Sequence, residues 1–283
     1  MDPPTVTTTT VVAFGGEVTS VRVLLNLLKA IQIKNIVTVN IYDEGITFTA
    51  EETHCVKAVA YLKRHLFQSY RKQLSVGDIE PFGIGLSTLI DSLSMLSTGG
   101  GSVTSDTCRM RYAEQGAPLE LIREDKDMNV STQCRLVTLD PDPESMELNI
   151  NEGPTLIDRA IMKSSWLKDA LGDLDKTCER VTMTFSPEDP CFRLQGDGAN
   201  GSFQMEYPEN SHSFVSFQCD HEVTFSYHYS HIMLSTKALD LSEEVSMRVS
   251  RDGVLGMLFR IQTLNHESYV EFTIIPFETG GAS

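Results

Sequence analysis

The chain has 283 residues, 41% of them apolar, which suits two globular domains with separate cores. Its formal net charge of −16 excludes a broadly basic nucleic-acid-binding surface, because phosphate contacts need Lys and Arg. No run approaches the roughly 18 apolar residues of a membrane span, and no basic segment followed by an apolar one marks a secretory leader.

Residues 1–10 contain a run of threonines and are expected to form a loose tail. Beyond a first strand, Ser20 is placed to cap an amphipathic helix that carries Val23, Leu24, Leu27, Leu28 and Ile31 on one face. Val37, Val39 and Ile41 alternate with polar residues, Asp43-Glu44-Gly45 turns the chain, and Ile46 and Phe48 alternate again, which predicts a hairpin. A second helix is expected over Leu86–Leu96. Gly99-Gly100-Gly101-Ser102 lacks the lysine of a phosphate-binding loop and reads as a flexible loop. Met110 to Leu121 reads as strand, glycine turn, strand. Val130, Thr132, Cys134 and Leu136 then alternate along an exposed strand.

Leu139 to Leu148 is acidic and carries Pro141 and Pro143, so it is expected to be an extended connector at mid-chain. After it the pattern returns. Ser164 or Ser165 is placed to cap a helix that turns Leu167, Leu171 and Leu174 inward. Val181, Met183 and Phe185 alternate, Pro187 to Pro190 turns, and Phe192 and Leu194 follow. A short helix is expected over roughly His231 to Leu239, and Met247 to Leu258 repeats the Met110–Leu121 pattern. Each half thus reads strand, helix, three strands, helix, three strands. The expected fold is α+β, with tandem duplicated β-α-β-β-β-α-β-β-β domains over 11–138 and 149–278, a connector at 139–148, and tails at 1–10 and 279–283.

Chemistry-bearing motifs are sparse. Cys55, Cys108, Cys134, Cys178, Cys191 and Cys219 fall singly and predict reduced thiols of a cytosolic or nuclear protein. A two-metal nuclease needs converging carboxylates. The candidates are Glu51-Glu52, Asp140, Asp142 and Glu144 on the connector, and Asp173 with Asp175. Adjacent acids on a strand point to opposite faces, and connector acids sit on a mobile surface. His221, His228 and His231 lack the thiol pair that would complete a zinc site. No catalytic residue, metal site or cofactor is expected. Residues 19–34 stand apart, with Arg22, Lys29 and Lys34 and no acid. The third helix offsets Lys163, Lys168 and Lys176 with Asp169, Asp173 and Asp175.

Several stretches carry a family resemblance: Phe185 to Leu194, Gly198 to Ser202, Tyr207-Pro208, Leu234 to Leu239, Val245 to Arg248, and in the first half Phe48 to Val59 and Leu86 to Leu96. Together with the repeated element order, these make the chain similar to the PCNA-type sliding clamps. Within them it resembles the Rad-one family of subunits of the checkpoint clamp called nine-one-one. The resemblance spans residues 12–278.

It implies a subunit whose helices line the inner face of a ring, with sheets outside. The subunit would join two different clamp subunits in a heterotrimer, placed by a clamp loader around double-stranded DNA without sequence readout. In the nucleus it would serve checkpoint and repair proteins, with no membrane role. The DNA-facing residues implied are Arg22, Lys29, Lys34, Lys168 and Lys237. The subunit edges implied are Val130, Thr132, Cys134 and Leu136 on one strand, and Phe203, Met205 and Tyr207 on another. A partner-peptide pocket would use Val56, Leu139, Met146, Leu255 and Pro276. The alternatives are a 3′→5′ DNA exonuclease and a homotrimeric replication clamp.

Overall fold

The computed structural model describes residues 12–73, 78–98, 107–125, 129–141, 155–263 and 266–277, with backbone only at 98, 125, 155–159, 262–263 and 266. Both expected tails, the Gly99–Ser102 loop and connector residues Asp142 to Leu148 lie outside the described residues.

The first half opens with β1 (Phe14–Val18) and α1 (Val21–Ala30). Ser20 caps α1 as expected, its hydroxyl accepting the Val23 N–H at 3.4 Å, and the five apolar residues of the predicted face are all buried. The predicted hairpin forms from β2 (Ile36–Tyr42) and β3 (Gly45–Glu52). Then come β4 (Val56–Lys63), a single 3-10 turn (Arg64–Leu66), β5 (Phe67–Lys72) and β6 (Phe82–Gly85). The half closes with α2 (Leu86–Thr98), β7 (Cys108–Tyr112), β8 (Leu119–Asp125) and β9 (Val130–Leu136), followed by the short β10 (Thr138–Leu139).

The second half repeats this order. It runs β11 (Thr155–Lys163), α3 (Ser164–Asp173), β12 (Arg180–Phe185), β13 (Phe192–Gly198) and β14 (Gly201–Tyr207). It continues through β15 (Phe214–Gln218), β16 (Val223–His228), α4 (Tyr229–Met233) and α5 (Thr236–Leu241). Strands β17 (Glu244–Ser250), β18 (Leu255–Thr263) and β19 (His266–Ile274) complete it.

Three expectations need correction. Five strands, not three, separate the helices in each half, β2–β6 and β12–β16. The extra strands carry little alternation: neighbouring Gln68 and Ser69 of β5 are both exposed, and Phe82, Gly83 and Ile84 of the four-residue β6 are all buried. The expected fourth helix is two short ones, parted where the Ser235 N–H and hydroxyl both turn back to the Ile232 carbonyl. Neither Ser164 nor Ser165 caps α3. Lys163 holds the cap position, and the buried Ser164 hydroxyl instead shares a 2.7 Å hydrogen bond with Ser242 Oγ.

The described residues fall into two compact units. The first comprises 12–25, 36–47 and 62–141, the second Asn26–Asn35, Phe48–Tyr61 and 155–277. In the first, an antiparallel sheet runs β5-β1-β7-β8-β9, and β10 and β2 flank β6. In the second, one sheet runs β4-β19-β18-β17-β11-β15 and another β14-β13-β12-β16. Residues 48–61 belong with the second unit because β4 is hydrogen-bonded to β19, from Tyr61 opposite Tyr269 to Val56 opposite Ile274. Val56, Ala58 and Ala60 are buried against Ile274, Phe272 and Val270, and the Tyr61 hydroxyl donates to Glu271 at 2.6 Å.

The repeat is clearest in the β7–β8 and β17–β18 hairpins. Met110 pairs with Leu121, and Met247 with Met257. Both turns use a glycine in the left-handed region, Gly116 at φ 77° and Gly253 at φ 80°. The second turn is one residue shorter, since Tyr112 pairs with Leu119 but Val249 with Leu255. Leu121 therefore corresponds to Met257 rather than to Leu258. A Cβ on Gly116 would meet open space, whereas one on Gly253 would lie 2.4 Å from the Phe225 ring. Gly116→Ala is thus expected to cost about 1 kcal/mol of backbone strain, and Gly253→Ala about 2–3 kcal/mol, read from urea midpoints.

Candidate functional site

The two predicted edge strands are edges. Strand β9 ends the five-stranded sheet of the first unit, and β14 ends the four-stranded sheet of the second. Their pairing fixes which way the side chains point. Cys134 and Leu136 lie opposite the buried Leu121 and Leu119. Met205 and Tyr207 lie opposite the buried Leu194 and Phe192, and Phe203 opposite Gly196. Each set continues a core layer out to a strand that has no neighbour beyond it. Leu136 is still covered, but Val130 is 53% exposed and Phe203 38% exposed. An apolar layer that stops uncovered beside open backbone donors and acceptors is a template for another strand.

Two exposed apolar residues that the sequence reading missed lie on helices. Met95 of α2 and Trp166 of α3 sit off the buried stripes formed by Leu86, Leu89, Leu93 and Leu96 and by Leu167, Ala170 and Leu171. A helical wheel would have singled out both.

Arg22 and Lys29 are exposed on α1, and Lys34 is exposed beyond its end. Seven residues separate Arg22 from Lys29, which puts them on one helical face about 10 Å apart. Lys237 of α5 is exposed and donates to Gln32 Oε1 at 3.2 Å, so the end of α1 and α5 lie side by side. Lys168 of α3 is engaged: its ammonium meets Asp240 of α5 at 2.6 Å. That hydrogen bond and charge hold the lysine above its ordinary pKa. Its positive charge is largely answered within the chain.

The residues of the expected peptide pocket divide. Val56 and Leu255 are wholly buried, both beside Ile274 in register, so they are core and offer no open surface. The resemblance alone implied a pocket role for them, and both lie on strands paired on each side. Leu139 is 43% exposed and Pro276 half-buried, while Met146 lies outside the described residues.

Two of the candidate nuclease carboxylates, Glu51 and Asp175, have other partners. Glu51 lies 3.9 Å from Lys57. Asp175 accepts the Thr177 N–H at 2.9 Å, and the Asn200 side-chain and backbone N–H groups at 2.7 and 3.3 Å. These bonds, that of Thr177 foremost, pull its pKa below the usual carboxylate range. They clip the β13–β14 turn to the end of α3. Among the described residues no three His, Cys, Asp or Glu side chains converge to hold a metal, and no helix there is long and apolar enough to cross a membrane.

His228 and His231 meet edge to face with centroids 4.9 Å apart, and Phe277 covers His228 at 4.5 Å. Burial, then the neighbouring His228, lowers the His231 pKa against an opposing pull from Glu52. The folded state therefore takes up this proton less readily than the unfolded chain, whose His titrates near about 6.5. The stabilisation is complete above about pH 6.5 and is lost as pH falls from there through the lower pKa of the folded state. The urea midpoint is expected to drop between about pH 7.5 and about pH 5.5, and to drop less in His231→Gln.

A sheet-rich α+β chain with few helices, in which β9 and β14 are both edge strands, is the class defined by these observations. The family model described as repair protein Rad1/Rec1/Rad17 matches residues 13–261, and the chain belongs to this family. It is 32% identical over 260 residues to human cell cycle checkpoint protein RAD1, covering 92% of this chain and 90% of the relative. Against the DNA damage checkpoint control protein rad1 of Schizosaccharomyces pombe it is 29% identical over 287 residues, covering 94% and 87%. Against the DNA repair protein Rad1 of Drosophila melanogaster it is 24% identical over 266 residues, covering 93% of each.

Proposed function

We propose that this chain is a non-enzymatic checkpoint-clamp subunit: one of three different subunits of a ring that surrounds duplex DNA in the nucleus, signals damage and holds repair enzymes. The observation that carries the reading is the β4–β19 pair. Strand β4 is the third strand after α1, and β14 the third after α3. Strand β9 is the third after α2, and β19 the last of the second half. One such combination, β4 with β19, is closed within the chain, while β9 and β14 are left open. If β9 of one subunit takes β14 of the next as β19 takes β4, every junction is alike and neither β9 nor β14 stays open.

Charge favours different partners over self-closure. Glu206 is exposed on β14, and Asp169 and Asp173 of α3 act on Tyr207 at its end, raising the phenol pKa after burial has done so. On β9 the cation Arg135 is already held by Glu120 at 3.1 Å. An acidic edge therefore lacks a free basic counterpart on the same chain, among the described residues. Arg22, Lys29, Lys34 and Lys237 would meet DNA phosphates loosely and with a salt dependence. Lys168 would contribute less, being paired with Asp240.

Light scattering of the purified chain, alone and with two clamp subunits of the same organism, tests the reading. A monomer that enters a one-to-one-to-one complex is expected. A trimer of the chain itself would make it a homotrimeric clamp. A monomer that joins neither partner, and that degrades DNA 3′ ends only while Glu51, Glu52, Asp173 and Asp175 are intact, would make it an exonuclease.

A further inference from the structure

The register of the five-stranded sheet assembles a group of side chains that the ring reading does not use. Gly15 of β1 pairs with Arg71 of β5 on one side and with Arg111 of β7 on the other. Arg111 pairs in turn with Glu120 of β8, and Glu120 with Arg135 of β9. Residues paired across antiparallel strands share a face. Phe14 and Gly16 of β1 and Met110 and Tyr112 of β7 are buried, so Gly15, Arg71 and Arg111 are on the solvent side.

A Cβ built on Gly15 meets nothing within 4 Å. The glycine therefore leaves an open notch in the row. Strands lie about 4.8 Å apart, so the two arginine stems stand about 10 Å apart across it. Both guanidinium groups are within reach of a point above the glycine. The other two arginines of this face are committed, Arg135 to Glu120 at 3.1 Å and Arg109 to Glu124 at 3.2 Å. Arg71 and Arg111 form no ion pair among the described residues.

We propose that this notch binds a single phosphate dianion carried on a protein: a phosphoserine or phosphothreonine in an extended segment with basic or neutral flanks. A phosphate monoester carries about −1.5 to −2 at neutral pH and three strong acceptor oxygens. Two guanidinium forks approaching from opposite sides match such an anion, as one ammonium would not. Two further observations select a peptide over a duplex. Strand β5, which carries Arg71, is the outermost strand of its sheet, so an extended segment finds open backbone groups beside the notch. The surroundings are acidic: Glu17 shares the solvent face two residues along β1, and Glu120 and Glu124 lie on β8. A duplex, with one charge per about 1.7 Å, would set its flanking phosphates against these carboxylates. A lone dianion between lysines would not.

The test uses the full chain and a fluorescein-labelled peptide, Ala-Lys-Ala-phosphothreonine-Ala-Lys-Ala. Controls are its unphosphorylated twin and a labelled duplex of about 20 base pairs, all read by fluorescence anisotropy. The phosphopeptide is expected to bind and the twin to fail. Arg71→Ala and Arg111→Ala are each expected to weaken binding at least about tenfold. Gly15→Val puts its Cβ into open space and is a residue that suits a strand. It is expected to melt no lower than the parent chain and to lose the phosphopeptide. Unchanged affinity in folded Gly15→Val, or equal binding of the twin, overturns the proposal. A duplex bound more tightly than the phosphopeptide, and weakened by the same substitutions, replaces it with a nucleic-acid contact. Should the arginine variants not fold, the Gly15 amide resonance of the parent chain decides. A shift on adding phosphopeptide but not its twin is expected, and the absence of that shift overturns the assignment.

Discussion

Met205→Asp is expected to leave the isolated chain folded and to prevent its assembly into a three-subunit ring. Met205 lies on β14 opposite Leu194 and is half-buried, because no strand covers it on the far side. In the free chain the new carboxylate keeps access to water at that open edge, so the cost to folding is expected to stay near about 1 kcal/mol. Once another strand closes over it, the carboxylate has neither water nor a cation, and an uncompensated buried charge costs on the order of several kcal/mol. Cys134→Asp on β9 is expected to do the same at that strand's edge. Circular dichroism melting and light scattering with the two partner subunits check both halves of this expectation. A Met205→Asp chain that still assembles would remove β14 from the ring contact.

The second large effect falls on folding itself. Phe272→Ala is expected to lower stability by about 3–5 kcal/mol, the range for deleting a buried aromatic ring. Phe272 is 0% exposed, stands edge-on to Phe259 with centroids 5.6 Å apart, and lies between Met257 of β18 and Ala58 of β4 in register. The small Ala58 opposite it leaves little that could collapse into the vacated space. Domains of ordinary stability have about 5–15 kcal/mol in total, so the variant should unfold at low urea concentrations. A loss under about 1 kcal/mol, read from urea midpoints, would mean that the β4–β19 seam contributes little to the second unit.

Local signals in the sequence carried the hairpins and the first helix. Alternation at Val37, Val39 and Ile41 and at Val181, Met183 and Phe185 located β2 and β12, and Ser20 marked the start of α1 because a cap acts within three residues. The reading failed where structure depends on distant partners. Strand β5 exists because β1 pairs with it, although its own sequence alternates poorly. Ser164 resembles a cap, but it is drawn into the core by Ser242, 78 residues away. Val56 and Leu255 show the same apolar character whether they line a groove or fill a core, and only their shared neighbour Ile274 decides between the two. The notch at Gly15 could not be read from sequence at all. It depends on a register between three strands, and one residue of slip in either neighbour would turn the arginines to the opposite face.

The β4–β19 pair also sets an order of events during synthesis. Tyr61 and Glu271, which bond across this seam, are 210 residues apart. A ribosome adding about 5–20 residues per second leaves the β19 side of β4 open for about 10–40 s. Through that interval the nascent chain displays Val56, Ala58 and Ala60 along a strand paired with β3 on one side only, the kind of edge that β9 and β14 keep in the finished protein. A waiting subunit could be captured there in the wrong register. The arrival of β19 works as a latch that withdraws the site from competition, and a chain cut short before His266 would remain an open acceptor for strands that are not its own.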